Sequence, residues 1–287
     1  MNEITGHTRL TGLLGSPVAH SISPQMHNEA FKQLGLDYIY LAFDIGTDKL
    51  KTAVDGLKVM NIRGFNLTMP NKNKILDYVD YISPAVEFCG AANTIVNDNG
   101  VLTAYTTDGI GYMEAVKEAG HDIIGKKMTL LGAGGAASSV LVQAALDGVT
   151  EIDIFSRRSK SYERMQKIVD QINAKTNCKA SIYDIKEERQ MKKSIEESAI
   201  LTNGTNVGMA PDTDNCIITD ESVLRPDLIV SDVIYNPRET KLMQIARAHG
   251  CQAFNGLYML LFQGAAAFKL WTGMDMPVDV VKKKYFK

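Results

Sequence analysis

The residues of this 287-residue chain whose types and spacing could do chemistry fall into a few tight clusters. The most regular is Leu130-Leu131-Gly132-Ala133-Gly134-Gly135-Ala136-Ala137, where an apolar strand pattern runs through G-x-G-x-x-A into a helix pattern. In that context the turn suits a dinucleotide. Gly132 permits the tight turn, Gly134 lets the backbone approach a pyrophosphate, and Ala137 keeps the helix close to the sheet. Around them Ala133, Gly135 and Ala136 complete the loop, and the helix N-terminus offers unpaired N–H groups and the positive end of its dipole to phosphates. An acid about 20 residues on, at the tip of the next strand, would bind a ribose 2'-hydroxyl, whereas a basic residue would accept a 2'-phosphate. That tip reads Ser156-Arg157-Arg158-Ser159-Lys160. Guanidinium groups match phosphate oxygens, so the charge favours NADP, with one of the two arginines expected to be merely solvated.

Four further clusters are rich in hydroxyls and amides: Gly15 to Asn28 with Ser16, Ser21 and Ser23; Asn66 to Lys72 with Thr68; Gly90 to Thr94 with Asn93; and Thr106-Thr107-Asp108-Gly109. Ser23 followed by Pro24 is a helix start, with Ser as N-cap and Pro at the first helical position. Capping does not account for Ser21. Taken singly, Lys72 at a strand end reads as a solvated charge and Asp108 as a helix cap.

The elements that must position these clusters alternate short apolar runs with helical stretches, the pattern of an α/β chain with a mostly parallel sheet. Strands are expected at Leu10–Leu14, Tyr38–Phe43, Gly64–Leu67 and Ala91–Asn97, with helices near Pro24–Gln33, Asp48–Met60 and Lys74–Tyr81. A second series runs through strands Lys127–Leu131, Glu151–Phe155, Ala180–Tyr183, Ile200–Thr202, Leu228–Val233 and Gln252–Phe254, with helices Ala136–Asp147 and Tyr162–Ala174. Gly109–Ala119 reads as a helical connector, and Leu257–Trp271 as the last helix. Length alone suggests about two domains.

Composition narrows the partners. With 31 basic and 33 acidic residues the formal charge is −2, which gives no global pull toward nucleic acid or an anionic membrane. The tail Lys282-Lys283-Lys284 reads as solvated and frayed. Four cysteines, at 89, 178, 216 and 251, lack zinc-like spacing and suit buried thiols of a cytoplasmic protein, with no metal expected. No segment has the length of a membrane span or the pattern of a secretory signal.

Taken in order, the clusters resemble the shikimate dehydrogenase family over essentially the whole chain. The phrases are H-S-x-S-P-x-x-H-N at His20–Asn28, N-x-T-x-P-x-K at Asn66–Lys72, G-A-x-N-T at Gly90–Thr94 and T-D-G at Thr107–Gly109. They continue in G-A-G-G-A-A at Gly132–Ala137, N-G-T-x-x-G-M at Asn203–Met209, Y-N-P at Tyr235–Pro237 and N-G-x-x-M-L-x-x-Q at Asn255–Gln263. Met69-Pro70-Asn71-Lys72, Arg157-Arg158 and Leu270-Trp271-Thr272-Gly273 are closer to the branch that also accepts quinate and NAD, although Ser159 stands where that branch often has an acid.

The resemblance implies reversible hydride transfer between NADP or NAD and the ring hydroxyl of shikimate, giving 3-dehydroshikimate, in the chorismate pathway; quinate is a further candidate substrate. It implies an N-terminal α/β substrate domain with a mixed sheet, residues 1–108 with 256–287 returning to it. A Rossmann-like doubly wound NAD(P)-binding domain, residues 109–255, would face it across a cleft. Ser21, Ser23 and Tyr235 would hold the carboxylate, and Thr68, Asn93 and Gln263 the ring hydroxyls. Lys72 and Asp108 would form the catalytic pair, because a proton must leave the oxygen as hydride leaves the carbon. Thr205, Val233, Gly256 and Met259 would lie toward the nicotinamide. A dehydrogenase acting on another substrate, such as a folate one-carbon carrier, would not explain the Ser21 and Ser23 loop. A non-catalytic NAD(P)H sensor would not explain the pairing of Lys72 with Asp108. Monomer and homodimer are both compatible with the sequence.

Overall fold

A computed structural model describes residues 4–286. The chain forms two compact units, one of Met1–Thr107 with Leu261–Lys287 and one of Asp108–Leu260.

The first unit runs β1 (Arg9–Gly15), α1 (Ser23–Gln33), β2 (Tyr38–Asp44), α2 (Leu50–Val59), β3 (Gly64–Leu67), a 3₁₀ turn (Lys74–Tyr78), β4 (Tyr81–Ile82), α3 (Pro84–Cys89), β5 (Thr94–Asp98) and β6 (Val101–Tyr105). Its sheet has the order β2-β1-β3-β5-β6-β4. β1 is parallel to β2 and β3, whereas β5 is antiparallel to both β3 and β6, so the sheet is mixed. The reversal from β5 to β6 follows from a two-residue hairpin. Asp98 pairs with Val101, and Asn99 and Gly100 between them both have positive φ, 54° and 92°. An Asn-Gly turn of this hand matches the twist of the strands it joins. That dipeptide was the signal for β6, which apolar periodicity alone passes over.

The second unit begins with α4 (Asp108–Glu118) and continues β7 (Lys127–Leu131), α5 (Gly135–Asp147), β8 (Glu151–Ser156), α6 (Lys160–Lys175), β9 (Lys179–Asp184), α7 (Glu188–Glu197), β10 (Ile200–Asn203), β11 (Ile229–Asp232), α8 (Lys241–Ala248) and β12 (Gln252–Phe254). All its strands are parallel in the order β12-β11-β10-β7-β8-β9, the doubly wound arrangement. The chain then passes through α9 (Leu257–Thr272) to α10 (Val278–Tyr285).

Trp271 ties the end of α9 to the first sheet. Its indole N–H donates to the Ile95 carbonyl at 2.9 Å, and Arg63 Nε donates to the Trp271 carbonyl at 2.8 Å. A Cβ at position 64 would overlap the indole, so Gly64 in β3 lets the ring approach the strand closely. Truncating an aromatic buried this fully costs roughly 3–5 kcal/mol.

Several sequence expectations are corrected. The segment Lys74–Tyr81 is a 3₁₀ turn followed by β4, not an α-helix. Ser23 is the first helical residue and not the N-cap; Ile22 takes the cap position, and the Ser21 hydroxyl accepts from the Ser23 N–H at 3.2 Å. α4 is no free connector: Gly109 abuts Ser139 and Gln143 of α5 so closely that a Cβ would overlap them. Lys284 is not frayed, because α10 places it 2.6 Å from Glu29, a nearly buried carboxylate on α1 that needs a cation. Cys216 is half-buried while the other three cysteines are buried, and among the described residues none of the four is in a disulfide. Among the described residues, no helix is long and apolar enough to cross a membrane.

Candidate functional site

In the first unit the parallel strands β1 and β3 end together, so the loops that leave them emerge at one edge of the sheet. Thr68 N–H donates to the Leu14 carbonyl at 3.1 Å, and Ser16 N–H to the Met69 carbonyl at 2.9 Å. Because β5 is antiparallel, its start lies where β3 finishes, and Leu67 N–H donates to the Asn93 carbonyl at 2.8 Å. Ala92 N–H then donates to the Lys72 carbonyl at 2.8 Å. Backbone hydrogen bonds alone thus bring Thr68, Lys72 and Asn93 to one place. Thr68 and Lys72 are half-buried, and Asn93 is buried.

A chain of side chains joins that place to the serine loop. Tyr40 on β2, fully buried, donates its hydroxyl to Asn66 Oδ1 at 2.8 Å and is hydrogen-bonded to the Ser23 side chain. Asn66 Nδ2 donates to the Asn93 carbonyl at 3.0 Å and to Thr94 Oγ1 at 2.9 Å. The Thr94 hydroxyl donates to Asn93 Oδ1 at 3.1 Å, and Asn93 Nδ2 donates to Thr107 Oγ1 at 2.9 Å and to Gln263 Oε1 at 3.3 Å. The Asn93 carbonyl can only accept, which fixes the Asn66 amide and obliges Tyr40 to be the donor. Burial drives the Tyr40 hydroxyl well above its ordinary pKa, so it stays protonated in that role. Ser21 and Ser23 enter by one end of this network and Gln263 by the other. Tyr40 is its unforeseen member, a hydroxyl inside an apolar strand pattern, which must find a partner if buried; Asn66, Thr94 and Thr107 belong to the polar clusters, which gave them no role of their own.

In the second unit Gly132 has φ 109°, and a Cβ there would lie 2.8 Å from the Thr205 methyl. Gly134 and Gly135 differ: among the described residues, a Cβ on either would meet nothing within 4 Å. Their backbone is exposed, α5 starts at Gly135 without a side-chain cap, and its first N–H groups remain open. The space a Cβ would fill therefore lies outside the chain, over a helix N-terminus, and fits a pyrophosphate.

The carboxyl ends of β10 and β11 carry a second buried network. Asp232, 2% exposed, accepts from Asn203 Nδ2 at 3.1 Å, Thr240 Oγ1 at 2.8 Å and Ile234 N–H at 3.0 Å. Asn203 Oδ1 accepts from the Thr205 hydroxyl at 2.7 Å and its N–H at 3.0 Å. Burial raises the Asp232 pKa, while its three donors work to lower it. The network holds Thr205 in place, and Val233 follows Asp232 directly. Gly256 lies against the Val233 carbonyl so closely that a Cβ would overlap it, and half-buried Met259 sits in the first turn of α9. Tyr235, 45% exposed, stands in the loop after β11. Asp108 is half-buried at the start of α4; its neighbour Thr107, in the first unit, gives its N–H to Asn93 Oδ1 at 2.8 Å. Arg157 and Arg158 follow β8, both exposed, and they are not alike: Arg158 is ion-paired to Asp184 at 3.3 Å, whereas Arg157 has no ion pair among the described residues. Those residues include no group of His, Cys, Asp and Glu that could hold a metal ion.

Comparison with known proteins identifies the family. The shikimate dehydrogenase substrate binding domain matches residues 13–95, and the shikimate 5'-dehydrogenase C-terminal domain matches residues 256–284. A shikimate dehydrogenase (NADP(+)) of Listeria innocua is 56% identical, over 99% of this chain and 98% of that protein. Shikimate 5-dehydrogenase from Listeria monocytogenes, solved in complex with shikimate and NAD, superposes with a TM-score of 0.96 at 56% identity, covering 99% of this chain and 98% of that one. Quinate dehydrogenase from Corynebacterium glutamicum, in complex with NAD, gives a TM-score of 0.85 at 28% identity, covering 97% and 99%. With that identity sustained over nearly the whole of both chains, the chain belongs to the shikimate dehydrogenase family.

Proposed function

We propose that this protein is a shikimate dehydrogenase: it interconverts shikimate and 3-dehydroshikimate with NADP, the reduction to shikimate being the step toward chorismate. The observation that carries the reading is the fixed network from Ser23 through Tyr40, Asn66 and Thr94 to Asn93 and Gln263, ending at the sheet edge where Thr68 and Lys72 stand. A ligand with one carboxylate and several ring hydroxyls needs such a row of neutral donors and acceptors held at set spacings.

In this reading the first unit binds substrate and the second binds coenzyme. Ser21, Ser23 and Tyr235 hold the carboxylate, while Thr68, Asn93 and Gln263 hold the ring hydroxyls. Gly132, Ala133, Gly134, Gly135 and Ala136 cradle the pyrophosphate, and Thr205, Val233, Gly256 and Met259 shape the nicotinamide side. When bound, the nicotinamide supplies the hydride acceptor. Lys72 Nζ, as the neutral amine, takes the hydroxyl proton as the carbonyl forms, and the ammonium returns it in reverse. Asp108 orients Lys72 and the reacting hydroxyl. Of the exposed pair Arg157 and Arg158, one guanidinium suffices to favour the 2'-phosphate of NADP. Four cysteines outside any disulfide suit a reducing cytoplasm.

The test is steady-state turnover of shikimate and of quinate, each with NADP and with NAD, followed by nicotinamide absorbance. Shikimate with NADP should be the most efficient pair. No turnover in any of the four combinations would sink the reading.

A further inference from the structure

The two arginines after β8 differ in a way that charge counting does not show. β8 and β9 are parallel and in register to their ends, with Ser156 opposite Asp184. The turn after β9 is tightly specified: Lys186 N–H donates to Asp184 Oδ1 at 3.0 Å, and Glu187 Oε1 accepts from Asp184 N–H at 2.9 Å. Both carboxylates are thereby aimed by their own turn, independently of any arginine. Arg158 lies among them, its Nε 3.3 Å from Asp184 Oδ2 and a terminal nitrogen 4.0 Å from Glu187 Oε1. Its guanidinium carbon sits 4.2 Å over the Tyr162 ring, a cation–π contact from α6. Arg157, one residue earlier, is exposed and has neither ion pair nor hydrogen bond among the described residues.

We propose that Asp184 is a determinant of coenzyme specificity: it holds Arg158 against Tyr162 and offsets its charge, leaving Arg157 as the one cation that reads a 2'-phosphate. This rests on the dehydrogenase reading above and deepens it. The Arg-Arg pair presents about one effective positive charge, so the preference for NADP over NAD is smaller than two free guanidinium groups would give. A partly exposed ion pair and a nearby carboxylate each act through modest, screened energies. Removing the carboxylate should therefore change affinity for the phosphorylated coenzyme several-fold rather than a thousand-fold.

The experiment compares kcat/KM for NADP and NAD, at saturating shikimate, in the unaltered protein and in Asp184→Asn, Asp184→Ser, Arg157→Met and the double variant Arg157→Met/Asp184→Asn. Asp184→Asn should raise the NADP-to-NAD ratio by about fivefold through a lower KM for NADP, and the gain should shrink as salt is added. Asp184→Ser, which cannot mimic the turn's geometry in the same way, should shift the ratio in the same direction. In the double variant the released Arg158 should recover part of the NADP use that Arg157→Met alone loses. A ratio unchanged in both active Asp184 variants, or both coenzymes moving together, would overturn the proposal while leaving the dehydrogenase reading intact. Absence of turnover by the unaltered protein with either coenzyme would overturn both.

Discussion

Acid should destabilise this protein through His27. The residue lies on α1 with no exposed surface, its ring stacked on Tyr40 at 4.4 Å and flanked by Trp271 at 5.3 Å and Phe268 at 6.2 Å. Among the described residues neither ring nitrogen has a hydrogen-bond partner. Desolvation pushes its pKa from 6.5 down to about 3. The folded state therefore refuses a proton that the unfolded chain binds, so the contribution is intact above pH 6.5 and is lost as pH falls from there toward 3. One pKa unit is worth about 1.4 kcal/mol, so at about pH 5 the loss is about 2 kcal/mol, or roughly 4–8 °C in melting temperature. Thermal melts of the unaltered protein and of His27→Leu, between about pH 7.5 and about pH 5, isolate that term as the difference in slope. The variant should lose about 2 kcal/mol less over the range, whatever its absolute stability. Equal slopes in the two proteins would refute the reasoning.

Two other perturbations follow from buried partners. Lys127, at the start of β7, is ion-paired to Asp153 at 2.9 Å, Glu151 at 2.7 Å and Glu197 at 2.8 Å; burial works to lower its pKa, and those three carboxylates outweigh it. Lys127→Met strands the Asp153 carboxylate, 2% exposed, and should cost about 3–5 kcal/mol by denaturant melt, with a large part recovered in Lys127→Met/Asp153→Leu. Tyr40→Phe removes the donor to Asn66 Oδ1 and should cost about 1–3 kcal/mol of stability. Because Tyr40 also steadies Ser23, it should raise KM for shikimate more than it lowers kcat, in steady-state rates with each coenzyme.

The parts of this protein legible in the sequence are those that local chemistry specifies. A strand, G-x-G-x-x-A and a helix state their geometry within a few residues, and the doubly wound unit follows from repeating that pattern. The hydroxyl-rich clusters announced a polar ligand, and their order announced the family. What periodicity could not supply was partnership across distance. Tyr40 reads as one more aromatic in an apolar strand; its hydroxyl matters because Asn66 is brought opposite it from 26 residues away. Asp232 reads as the end of a strand until Asn203 and Thr240 converge on it. Arg157 and Arg158 are indistinguishable in the sequence and separate only because β9 ends beside β8. Likewise Lys284 becomes an ordered ion-pair partner only when α10 is laid beside α1.

The central claim is that Lys72 handles the proton of a shikimate oxidation. Lys72→Met keeps the length of the side chain and removes the amine, so its kcat for shikimate with NADP, measured beside NADPH affinity by fluorescence titration, tests that claim directly. Its kcat should be lower by about 10²–10⁴-fold, the usual worth of a positioned proton-transfer group, with NADPH affinity unchanged within about twofold. A Lys72→Met protein that turns over shikimate at close to the unaltered rate would contradict it.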